Sequence, residues 1–253
     1  MIFLNEIIKL NKKYSYKNLI NDIKFLEYYY KEIKTGIIGE STLGRKIFFI
    51  KLGTGKEKIL IKLTEKANES ILSSAIMAII EKIIVRKKAD ELYKGFDIKE
   101  ILAKYTIYFI PMVNPDGVGL VLREKEILLN KKYENVWKEY FYVLELWNNN
   151  IRGVDLENNY KNNWKTNSLK LFKKGNIIPN NNTYPGLNYL SEKETINIEK
   201  FINIFKIKKI ITIKLNGKRK NSIDSKKIKE LIEENILEIL NVEKCRNMTN
   251  DFC

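Results

Sequence analysis

Side chains able to do chemistry are unevenly supplied in this sequence. Histidine is missing from all 253 residues, which removes both the usual neutral metal ligand and the usual general base near neutral pH. The two cysteines, Cys245 and Cys253, both fall close to the end of the chain. A pair placed there forms neither a disulfide framework nor a metal cluster, so a reduced, cytoplasmic protein is the expectation. What remains is carboxylates, amides and lysines at turns. The most pointed of these turns is Asn114-Pro115-Asp116-Gly117. Pro115 presets φ, Asp116 is able to close a local side-chain bond, and Gly117 tolerates the positive φ that ends such turns. It is delivered by the run from Tyr105 to Val113, β-branched and aromatic with almost no charge, which predicts a strand buried on both faces. Open α/β sheets present their sites at the carboxyl ends of such strands.

Three further segments flank that turn: Ile38-Gly-Glu-Ser-Thr-Leu-Gly-Arg-Lys-Ile47, Arg152-Gly-Val-Asp-Leu-Glu-Asn-Asn-Tyr160 and Pro185-Gly-Leu-Asn-Tyr-Leu-Ser-Glu-Lys-Glu-Thr195. In this order and at these intervals the chain resembles the zinc carboxypeptidase family. The likeness is strongest to the bacterial branch that cleaves γ-D-glutamyl–diaminopimelate bonds in cell-wall peptides. It covers roughly residues 14 to 217. It implies one α/β domain over residues 1–253, a mixed central sheet flanked by helices, shortened at its C-terminus, with a last helix and tail over 218–253.

The resemblance also implies a site. In the family, zinc is held by a His, a Glu three residues later and a second His at the end of a later strand. The open fourth position activates water. The matching turn here is Lys66-Ala67-Asn68-Glu69, and the matching strand end is Lys214. Glu69 is retained, but both imidazoles have become ammonium groups, which have no lone pair while protonated. Asp155 matches the residue that orients the first His, and Lys66 is its expected new partner. The positions that bind substrate in the family are Glu157, Asn158 and Asn159. Glu157 stands where an Asn grips the terminal carboxylate, and Asn158 where an Arg does. A carboxylate facing a carboxylate is repulsive, and the guanidinium fork is gone. Glu230, Glu233, Glu234 and Glu238 lie on a charged helix, and none is assigned as the catalytic base. The expectation is a protein without zinc or other cofactor and without peptidase activity, which binds a peptide or protein partner in the former cleft. Lys66 and Lys214 are expected either to pair with Asp155 or Glu69 or to point to water. A residual metallopeptidase acting on cell-wall peptides is one alternative, and a basic binder of nucleic acid or anionic polymer is another.

The positioning elements follow from patterning. With 44% hydrophobic residues the chain is long enough to bury a sizeable core. The formal charge is +15, but lysines are spread along the whole chain, so solvated faces explain it and nucleic acid is not an expected partner. No apolar run is long enough for a membrane span, and the first residues do not form a secretory signal. Helical spacing predicts helices over residues 16–33, 70–86, 97–103, 126–147, 191–205 and 224–240. In the fourth of these, Trp137, Tyr140, Phe141, Leu144 and Trp147 share an aromatic face; in the fifth, Ser191 is the cap. Strands are predicted at 46–52, 58–63, 105–113 and 207–215, the last of them buried. A missing further strand would leave a sheet edge exposed or covered by the last helix, with a homodimer as one way to close it.

Overall fold

A computed structural model describes residues 7–215 and 225–240. The strand end at Asn216-Gly217, the Glu238 side chain and both cysteines lie outside the described residues or side chains. Helix α1 (Tyr16–Tyr29) begins with a capping box in which Ser15 and Asn18 satisfy each other's backbone N–H groups. It buries Leu19, Ile23 and Leu26. Strands β1 (Lys34–Glu40) and β2 (Lys46–Leu52) form an antiparallel hairpin. β3 (Glu57–Leu63) leads through a 3-10 turn at Ala67–Glu69 into α2 (Ser70–Ala89), which is buried nearly all round. Then come α3 (Ile98–Lys104) and β4 (Tyr105–Ile110), in which every residue is buried.

The sheet order is β1-β2-β4-β3, with β5 (Lys209–Ile213) outside β3. β4 runs antiparallel to β2 and parallel to β3, so the sheet is mixed. Entry to β3 requires a glycine: a Cβ on Gly55 would stand 2.0 Å from the backbone of Lys104. On one face α1 and α2 cover Ile59, Ile61, Ile107 and Phe109, joined by Ile228, Ile232 and Ile236 of α9 (Ser225–Leu240). On the other face α8 (Lys193–Phe205) places Ile198 and Phe201 on Leu60, Tyr108 and Ile110. No described helix is long and apolar enough to cross a membrane.

Several expectations are corrected. Asn114-Pro115-Asp116-Gly117 does not end in a positive-φ turn but opens helix α4 (Pro115–Val121), with Pro115 in its first turn. The local bond is made by Asn114, whose Oδ1 accepts from Gly117 N at 3.0 Å, while Asp116 reaches a distant loop. The helix over 126–147 is broken into α5 (Lys125–Leu128), a turn at Lys131–Tyr133, α6 (Glu134–Trp137) and a 3-10 stretch at Lys138–Leu146. Extended backbone at Asn130 and a non-helical Val143 interrupt it. The aromatic face divides accordingly: Trp137, Leu144 and Trp147 are buried, whereas Phe141 is exposed. Helix α8 is capped at Glu192, not Ser191, and without a side-chain cap bond. β5 is shorter than expected and only half-buried. Among the described residues no strand pairs with its outer edge, and α9 packs on α2. Strand β1 and helix α7 (Lys161–Lys173) had no counterpart in the sequence reading.

Candidate functional site

The site lies at the carboxyl ends of β3 and β5. β3 is followed by Thr64, a β-branched residue held at φ 55°, a conformation costly enough to need enforcement by its surroundings. That enforcement is visible in Thr64 Oγ1, which lies 2.7 Å from Ser73 Oγ, itself donating to Pro111 O at 2.7 Å. The kink throws Glu65 and Lys66 off the strand axis before the turn at Ala67–Glu69. Asn114 fixes the same corner from the side, its amide donating to Glu65 O at 2.9 Å and Asn149 O at 3.2 Å.

The second wall is the loop over 148–159. Asn150 Oδ1 accepts from Arg152 N and Val154 N, both at 3.0 Å, and Asp155 N donates to Tyr184 O at 2.7 Å. Asp155 then caps a 3-10 turn at Leu156–Asn158, accepting from Glu157 N at 3.1 Å. This turn carries Glu157 towards both lysines. Lys66 Nζ lies 3.5 Å, and Lys214 Nζ 3.7 Å, from the same oxygen, Glu157 Oε2. The three side chains are 23%, 42% and 16% exposed for Lys66, Lys214 and Glu157. The other oxygen, Glu157 Oε1, is buried and accepts no hydrogen bond from any described residue.

The expected partnership is thereby corrected. Lys66 pairs with Glu157, not with Asp155, because Asp155 is already engaged by the turn it caps and by Asn158 Nδ2 at 2.7 Å. Burial pushes the Asp155 carboxyl up to about 6; the Asn158 bond and the more distant Lys66 charge oppose that, while Glu157 reinforces it. Asn158 is half-buried, its Oδ1 accepting from Asn167 Nδ2 at 3.0 Å. Asn159 is fully used by the scaffold: its amide donates to Pro185 O, Asn188 O and Ser191 Oγ at 2.9, 3.1 and 2.9 Å and accepts from Thr195 at 2.7 Å. Glu69 is buried at the turn.

The resemblance implies zinc here, and the residues present do not fit it. Protonated lysines donate and do not ligate, and their charges repel a dication. Among the described residues no group of three or more His, Cys, Asp or Glu converges so as to hold a metal ion.

Two arrangements escaped the sequence reading. Lys62 is a buried lysine on β3, 2.6 Å from Glu65 Oε1, which also accepts from Tyr160 OH at 2.5 Å. The only signal was a lysine between Ile61 and Leu63 in a strand covered on both faces. The other is a clasp on the loop at 41–45. Asp116 accepts from Ser41 Oγ at 2.9 Å and Leu43 N at 2.7 Å, and Glu194 accepts from Thr42 N at 2.9 Å. This clasp joins segments that the sequence offered only as separate motifs.

A family model described as zinc carboxypeptidase matches residues 20–221. The γ-D-glutamyl-L-diamino acid endopeptidase 1 of Lysinibacillus sphaericus is 30% identical over 162 residues, 63% of this chain and 40% of its own. Among solved structures, thrombin-activatable fibrinolysis inhibitor superposes with a TM-score of 0.57 at 16% identity, covering 83% of this chain and 51% of its own. Carboxypeptidase A from Helicoverpa armigera gives 0.51 at 18%, covering 80% and 46%. At such identity these structures speak to the fold. The chain spans less than half the length of the curated relatives it matches, at 40% and 44%.

Proposed function

The chain belongs to the zinc carboxypeptidase family, and from that premise we propose that it binds a peptide at the carboxyl ends of its strands without hydrolysing it. The observation that carries this reading is the shared oxygen of Glu157. The two positions at which the family places imidazoles hold ammonium groups 3.5 and 3.7 Å from it. The charge that a metal would supply is thus supplied by side chains, and the neighbouring Asn158 is engaged by Asp155 and Asn167. No residue among those described is assigned as a general base. The ligand class is taken from the Lysinibacillus relative, whose name specifies γ-D-glutamyl-L-diamino acid peptides. A cytoplasmic setting is part of the proposal, supported by a sequence with only two cysteines.

The test is a titration with a γ-D-glutamyl-L-diamino acid peptide, with products followed by mass spectrometry in the presence of zinc and then of chelator. Saturable binding with an intact peptide is expected. Chelator-sensitive hydrolysis would instead establish a working metallopeptidase, the second reading, which the same relative supports.

A further inference from the structure

A cavity of about 570 Å³ opens between the segments around 132–136, 152–154 and 179–192. Its volume is in the range of small-molecule sites. None of Lys66, Glu69, Asp155, Glu157 or Lys214 lines it. Val136, Val154, Pro179 and Leu187 make its walls apolar, and Leu187 stands 74% exposed at the rim. Against that apolar lining sits one guanidinium. Arg152 NH1 lies 3.7 Å from Glu192 Oε1, and the two side chains are 46% and 1% exposed.

That pairing is too long to be a hydrogen bond. Nor does Glu192 depend on it. Its carboxylate already accepts from Asn150 Nδ2 at 2.7 Å and Ser191 Oγ at 2.9 Å. The guanidinium donates no hydrogen bond to any described residue. The other three arginines in the described residues do donate: Arg45 to Pro115 O and Glu124, Arg86 to Glu91, and Arg123 to Phe141 O. Arg152 is therefore held at the cavity by a charge it does not need to satisfy, with its planar fork of donors available. Lys132 adds a second positive charge to the lining.

We infer that this cavity is a binding site for a small apolar body carrying one carboxylate, with Arg152 gripping the carboxylate and the Val136–Leu187 walls taking the apolar part. A guanidinium matches a carboxylate in two parallel bonds, and the cavity places apolar walls beside it. The site stands apart from the strand-end cluster and does not rest on the peptide-binding reading.

The test is a calorimetric titration of the full chain with 3-phenylpropionate, its uncharged amide, and an acetylated tripeptide ending in phenylalanine. The free acid is expected to bind saturably with one site, and the amide about 10- to 100-fold more weakly, the difference a hydrogen-bonded charge typically makes. Arg152→Gln is expected to weaken the acid by the same factor. Leu187→Glu, at an exposed rim position that the fold does not need, is expected to weaken it several-fold by repulsion. Lys66→Met is expected to leave the acid's affinity unchanged, which separates this site from the strand ends. Binding of the tripeptide would assign the cavity to chain termini, and its failure beside a binding free acid would assign it to small acids; both outcomes support a carboxylate site. No saturable binding of the acid, equal affinity for acid and amide, or indifference to both Arg152→Gln and Leu187→Glu would overturn the inference, as would loss of binding in Lys66→Met.

Discussion

Two groups of buried or half-buried charges sit at the same end of the sheet and are built differently. Around the loop at 41–45, Asp116 and Glu194 each accept short, directed bonds from backbone N–H groups, at 2.7 and 2.9 Å. At the strand ends, Lys66, Lys214 and Glu157 meet as charges at 3.5 and 3.7 Å, and one carboxylate oxygen has no donor among the described residues. The first group ties β1, β2, α4 and α8 together and tolerates little change. The second neutralises a site and could lose a member with far less disturbance. The first is fixed by directed hydrogen bonds from backbone, the second by charge at longer range.

The contrast predicts an order of mutational costs. Asp116→Ala is expected to cost the most, about 3–5 kcal/mol, because it leaves Leu43 N and the Ser41 hydroxyl without their acceptor and Arg45 without a buried counter-charge. Urea unfolding measures this directly, and a cost below about 1 kcal/mol, the level of an exposed pair, would break the comparison.

Glu194 gives the next effect, and it depends on pH. Burial, with the nearby charges of Asp116 and Glu192, raises its carboxyl from 4.5 to about 7 against the opposing bond from Thr42 N. Between those values the folded chain holds a proton that the unfolded chain has released, so stability falls as pH rises through the interval. The full loss is up to roughly 3 kcal/mol. Unfolding at pH 5 and pH 8 should show that decline in the wild type and a flatter profile in Glu194→Gln. An identical slope in both proteins would remove Glu194 from the clasp.

At the strand ends the expected costs are smaller. Lys66→Met should destabilise by about 1–2 kcal/mol, between exposed and buried pairs, and the more exposed Lys214→Met by about 0.5 kcal/mol or less. A double-mutant cycle between Lys66 and Glu157 isolates the coupling. A coupling near zero would mean that the two charges share a corner without depending on each other.

The parts of the fold that could be read in the sequence were those carried by apolar runs. Tyr105–Ile110 and Ser70–Ala89 are buried nearly throughout, and their composition says so. β1, Lys-Thr-Gly-Ile-Ile-Gly-Glu, is an edge strand with two glycines and no buried residue, so strand propensity is silent there. Helix α7 buries only Ser168 and therefore shows no apolar stripe. The segment 126–147 misled in the opposite direction: its aromatics recur at helical spacing, yet they are presented by successive short turns. At the strand ends the sequence offered Asp155 or Glu69 as the partner of Lys66, and the partner in the structure, Glu157, was not legible. That depended on Asp155 spending its carboxylate on the 3-10 turn that swings Glu157 round, a backbone detail that side-chain identity does not encode.

The central claim is that side-chain ammonium groups, not a metal, supply the positive charge at the strand ends. Elemental analysis of protein dialysed against micromolar zinc and then gel-filtered tests it most directly. The account predicts less than about 0.1 equivalent of zinc in the wild type, since tight sites need several lone-pair ligands. It predicts a rise in bound zinc when Lys66→His and Lys214→His are combined beside Glu69. A wild-type protein that retains close to one equivalent of zinc, and loses it to a chelator, would contradict the account.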